Sequence, residues 1–173
     1  MLQKEKMAVI KEPEKGFSED GYITNQDCFH SVRYRTMPSD INGCGWVAAY
    51  NLRHYLGHEV CYEDVRAELD DMHILKAPGP TLMVVMRAYL KKYIPGVIET
   101  TGREEALAAA ALSRAGIFRY REKHEPHFIF FMKTGENRSR FMNVADGLED
   151  FETDMESFGA EHFLGGTVIA FTI

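Results

Sequence analysis

The chain has 173 residues, 45% apolar and 27% charged, enough for one domain with its own core and too few for two. A net charge of −6 excludes a basic face for nucleic-acid phosphates or for an anionic membrane surface. The longest nearly apolar stretch, "FLGGTVIAFTI", is far short of the ~20 residues a bilayer span requires, and "MLQKEKMAVIKEPEKGF" lacks the apolar centre of a signal peptide. Three cysteines make no disulfide framework, so the expectation is a reduced, cytoplasmic protein whose sequence sets no oligomeric state.

Residues 1–21 are charged, carry Pro13, Gly16 and Gly21, and read as an arm ahead of a single domain over 22–173. Residues 22–40 read as extended or looped chain ending in the turn formers "MPSDIN". A helix follows Cys44, with Val47, Ala48, Leu52, Tyr55 and Leu56 at near-helical spacing and Gly57 as its stop. "CYEDVRAELDDM" and "TLMVVMRAYLKKY" give two more helices, "GVIETT" a strand, and "GREEALAAAALSR" a helix on propensity. Then "GIFRYRE", "HFIFFMK", "RFMNV" and "GTVIAFTI" bring β-branched and aromatic runs separated by turn signals. "LEDFETDMESF" reads as a helix inserted before the last strand, with Leu148, Phe151, Met155 and Phe158 inward and the acidic run solvated. Helices first and strands later predict an α+β fold with an antiparallel sheet.

"NGCGWVAAYNLRHYLG" sets a thiol at a helix start, where unpaired N–H groups and the macrodipole stabilise a thiolate. Gly43 and Gly45 would let a substrate backbone approach, and the Cys44 N–H would help bind an oxyanion. A thiol nucleophile needs a base, and His127 opens the apolar strand "HFIFF" directly after Pro126. A hairpin centred on Gly135 sets 127 opposite 143 and aims His127, Ile129, Phe141 and Asn143 at one face. The Asn143 side-chain oxygen would then fix the imidazole tautomer. Asp146 is the alternative third member if the strand bends at Ala145.

"NGCGWVAAYNLRHYLG" followed by "HFIFF", a short turn and "RFMNVADG" resembles the papain-like cysteine peptidase superfamily. The similarity is to the compact branch that includes the double-glycine leader peptidases of bacteriocin exporters, and it spans roughly residues 36–173. That branch begins its catalytic helix with Cys-Gly, opens a strand with His-aromatic-aliphatic, and sets Asp or Asn sixteen residues after the His, where Asn143 stands. The resemblance implies a papain-like fold, a Cys44–His127–Asn143 triad, a peptide or protein substrate, and no metal or organic cofactor. The family supplies an oxyanion glutamine six residues before the Cys; that position is Pro38, which leaves Asn42, Ser39 or Gln26 as substitutes.

Three functional readings stand on these residues. One is a hydrolase of peptide or isopeptide bonds. Another passes the acyl group to an amine on the same triad, as acyltransferases and transglutaminases do. The last is a peptide-binding pseudopeptidase, which Pro38 favours. Beside them, Cys44 could simply be a small residue at a tight helix start, and His54 with His58 lacks the context of a metal pair.

Overall fold

The computed structural model describes residues 13–122, 125–144 and 150–173. Two 3-10 turns, Pro13–Gly16 and Gln26–Phe29, precede a hairpin of β1 (Arg33–Tyr34) and β2 (Met37–Pro38). There follow α1 (Ser39–Asn42), α2 (Cys44–Tyr55), α3 (Tyr62–Asp71), α4 (Met83–Tyr93), β3 (Ile98–Thr101) and α5 (Arg103–Leu112). The chain then makes β4 (Ala115–Glu122), β5 (Glu125–Gly135), β6 (Arg138–Met142), β7 (Asp150–Thr153), α6 (Met155–His162) and β8 (Ile169–Thr172). The sheet is antiparallel with strand order β3-β8-β4-β5-β6-β7. The predicted α+β architecture is therefore present.

Both faces of the sheet are covered, and strand alternation divides the side chains between them. Phe128, Phe130, Ile117 and Phe171 join α2 residues Trp46, Val47 and Leu52 in one cluster. Ile129, Phe131, Phe118, Tyr120 and Phe141 join Ala106 and Ala110 of α5 and Phe158 of α6 in the other. This double burial explains why "HFIFF" is continuously apolar, as a strand covered on both faces must be. Phe141 and Phe158 stack at 4.0 Å between centroids, which locks α6 to β6.

Residues Cys44 to Arg53 of α2 are all buried, so this helix is central rather than one-faced. Residues 13–34 cover the side that a surface helix would expose. Phe17 packs edge-on against Phe29 and Tyr50. Asn51, fully buried on α2, accepts from the Ile23 amide at 2.8 Å and donates to the Ile23 carbonyl at 2.8 Å. That side chain serves an extended segment as a neighbouring strand would, leaving neither backbone group unpaired. Gly57, at φ +73, ends the helical run in the left-handed region.

The segment before β8 differs from expectation. Residues 150–153 form an edge strand paired with β6, and the helix begins only at Met155. Asp154 is the reason: its carboxylate caps the new helix, accepting from the Ser157 amide at 2.8 Å and from the Ser157 hydroxyl at 2.7 Å. The helical spacing of Phe151 with Met155 and Phe158 thus spans two elements. Leu148 lies outside the described residues.

Candidate active site around Cys44 and His127

Cys44 is the first residue of α2 and is buried. Gly43 has right-handed helical φ and ψ, so the short turn α1 leads into α2 almost without interruption. The flanking glycines serve packing rather than substrate approach. A Cβ on Gly43 would collide with the Ser39 carbonyl and come within 2.8 Å of the Trp46 indole nitrogen, and one on Gly45 would collide with Thr81. Thr81 is itself fixed by a 2.7 Å hydrogen bond to the Tyr34 hydroxyl. The expectation that Gly43 and Gly45 are gaps for a ligand is replaced by this crowding. Outside the site, Cys28 is also buried and Cys61 is exposed.

His127 stands near the start of β5, directly opposite Tyr120 of β4, whose ring meets the imidazole edge-on at 5.9 Å. The strand register differs from the prediction. The hairpin pairs Phe130 with Met142 and Phe131 with Phe141, after an irregularity between Lys133 and Gly135, so position 143 is displaced by two residues from its predicted place opposite 127. Asn143 has left the strand altogether and adopts φ +61, a left-handed conformation that Asn tolerates better than most residues.

This turn changes which group of Asn143 meets the imidazole. His127 Nε2 donates to the Asn143 main-chain carbonyl at 2.8 Å. A carbonyl only accepts, so Nε2 carries the proton and the lone pair of the neutral ring is on Nδ1. The Asn143 side chain faces Gln26 instead. Its Oδ1 accepts from the Gln26 amide at 2.9 Å and its Nδ2 donates to Gln26 Oε1 at 2.9 Å. Gln26 Nε2 in turn donates to the Asp40 carbonyl at 2.9 Å, one helical turn ahead of Cys44. The predicted side-chain contact between Asn143 and His127 is thereby corrected to a backbone contact with a side-chain clasp behind it. Asp146 lies outside the described residues.

Of the three oxyanion candidates, one is buried out of reach and another has its donors already engaged. Ser39 is fully buried and its hydroxyl oxygen accepts from Trp46 Nε1 at 3.2 Å. Asn42 spends both amide hydrogens on the carbonyls of Tyr34 and Gly79, at 2.9 and 3.0 Å. Gln26, with one hydrogen on Asp40, retains the other. Pro38 closes the β1–β2 hairpin opposite Arg33 and offers no donor.

Leu56, just past the C-terminus of α2, lines a cavity with Arg114 and Ile173, and Arg114 is paired with Lys133 at one end of β4 and β5. At 1.5 Å per residue the 12 residues of α2 span about 18 Å. An unforeseen imidazole–carboxylate pair, His30 Nδ1 to Asp40 Oδ2 at 2.7 Å, lies on the same side of the molecule as Gln26. No local pattern in the sequence announces it, since the two residues belong to different turns.

No protein-family model and no curated protein matches this sequence. Among solved structures, the chain is similar to the peptidase domain of ComA from Streptococcus, a bi-functional ABC transporter involved in a quorum-sensing pathway. The two share 14% identity with a TM-score of 0.52 over 77% of this chain and 93% of that domain. No helix among the described residues is long and apolar enough to cross a membrane. The chain therefore has the α+β fold of the ComA peptidase domain.

Proposed function

We propose that this protein is a thiol hydrolase that cleaves a peptide or isopeptide bond. Cys44 Sγ passes its proton to Nδ1 of His127 and attacks the substrate carbonyl. The amine leaves with that proton, and water then hydrolyses the thioester, giving back the Cys44 thiol and a carboxylic acid. The Asn143 carbonyl holds the ring in the Nδ1-basic tautomer. The remaining amide hydrogen of Gln26 and the Cys44 N–H are the oxyanion donors. One observation carries the reading: the hydrogen-bond chain Asp40–Gln26–Asn143–His127, which links the turn before Cys44 to the base through Gln26 and Asn143, 117 positions apart. The same groups would serve transfer to an amine acceptor. Pro38 and the engaged amide of Asn42 favour a binding module without turnover as the second reading.

Selective alkylation tests it. By exposure alone Cys61 should react first with limiting iodoacetamide at about pH 6, although hydrogen bonding to Asp64 pushes its thiol pKa up. The expected result is that Cys44 is labelled at least about tenfold faster than Cys28 or Cys61, an advantage lost in His127→Ala. Labelling in order of exposure, unchanged in the variant, removes the hydrolase and leaves the binding module.

A further inference from the structure

An apolar cavity of about 330 Å³ lies between the C-terminal end of α3 and the first turns of α4. Its wall includes Ile74, Leu75, Leu82 and Val84, four large apolar side chains that are 98, 74, 47 and 67% exposed. Soluble surfaces seldom gather such residues around one opening without a ligand to cover them.

One charged side chain lines this cavity. Arg35 is only 5% exposed, and its bond to protein is from Nη1 to the Pro80 carbonyl. Its Nε is buried without a hydrogen-bond partner, and no carboxylate among the described residues lies within ion-pair distance of it. A buried cation without a counter-charge is unfavourable unless something supplies one. Arg35 is also carried at φ +48, followed by Thr36 at φ +72, so a β-branched residue sits in a left-handed turn where Asn-Gly is usual. The other polar side chain in the wall is satisfied internally: His73 Nδ1 donates to the Leu69 carbonyl at 2.8 Å and Nε2 accepts from the Leu82 amide at 3.3 Å. The guanidinium is thus the group left to recognise a ligand, and what it recognises is an anion.

We propose that this cavity binds a small aliphatic monocarboxylate, its carboxylate on Arg35 and its hydrocarbon tail among Ile74, Leu75, Leu82 and Val84. The volume is at the small end of the roughly 300–1,000 Å³ typical of ligand pockets, which suits a medium-chain acid rather than a large cofactor. The site is separate from Cys44, with residues 79–81 between them: Gly79 and Pro80 accept from Asn42 and Arg35, and Thr81 packs on Gly45. It does not depend on the hydrolase reading.

Calorimetric titration of the whole chain with octanoate, octanamide and N-acetyl-leucyl-leucine tests the assignment. Octanoate should bind with Kd below about 1 mM and at least about tenfold more tightly than octanamide, because only the acid gives a charge-assisted bond. Arg35→Met should abolish that preference. Val84→Glu, at an exposed position that tolerates charge, should abolish octanoate binding while circular dichroism stays native. Equal affinity for acid and amide, no saturable octanoate binding, or a preference that survives either substitution overturns the proposal. Tighter binding of the dipeptide acid than of octanoate overturns it in favour of a peptide C-terminus. Should Arg35→Met fail to fold, the wild-type acid-to-amide ratio and Val84→Glu still decide.

Discussion

Asn143 combines two roles that substitution can separate, a left-handed backbone and a double side-chain clasp on Gln26. Asn143→Gly keeps the backbone unstrained and removes the clasp. Two hydrogen bonds are lost at about 1 kcal/mol net each, and the partly buried Gln26 amide and Oε1 lose their partners, for a total of about 2–3 kcal/mol. Asn143→Ala loses the same bonds and also asparagine's tolerance of the left-handed region, which glycine shares and alanine does not, so it should lie about 1 kcal/mol below Asn143→Gly. For a chain of this size each kcal/mol shifts Tm by about 2–4 °C. Thermal and urea unfolding followed by circular dichroism should therefore rank wild type above Asn143→Gly above Asn143→Ala, with the two variants separated by a few degrees. If Ala is as stable as Gly, the backbone conformation contributes nothing. If both lie within about 0.5 kcal/mol of wild type, the clasp is only decoration on the surface.

Two further outcomes follow from the structure. Gly45→Ala should destabilise by about 1–3 kcal/mol in urea unfolding because its new Cβ would meet Thr81, although helix propensity alone would favour Ala by about 1 kcal/mol; a stabilised variant contradicts the packing argument. Burial holds the His73 imidazole below the usual 6.5, so the folded chain binds this proton less readily than the unfolded chain. The associated stability is complete above about pH 6.5 and lost as pH falls toward the lowered folded value. The drop in urea midpoint between about pH 7.5 and about pH 5.5 should be smaller in His73→Gln than in wild type, and an equal drop assigns the pH dependence to other groups.

Much of the architecture was readable because it rests on periodicity. The run after Cys44, the stop at Gly57 and the aromatic strands each correspond to an element of the fold. The strand 150–153 was not, because Phe151 satisfies both a helical stripe and a strand pair, and the deciding group is the Asp154 cap. At the site, the sequence brought Cys44, His127 and Asn143 forward by type and spacing. It could not show that Asn143 turns left-handed and presents its carbonyl, since that depends on the irregularity at 133–135 and on Gln26, a residue 117 positions away. Gln26 was visible only as one candidate donor among three. Arg35 gave no signal at all, because burial of a lone cation is a tertiary property.

The placement of Trp46 has a practical corollary. As the sole indole of the chain, it is fully buried two residues past Cys44, hydrogen-bonded to Ser39 and set edge-on to Phe29 at 5.3 Å. Its emission is thus a built-in optical probe of the α1–α2 junction, blue-shifted while that junction is closed. Any event that loosens Ser39 would be seen as a change of colour, without a label.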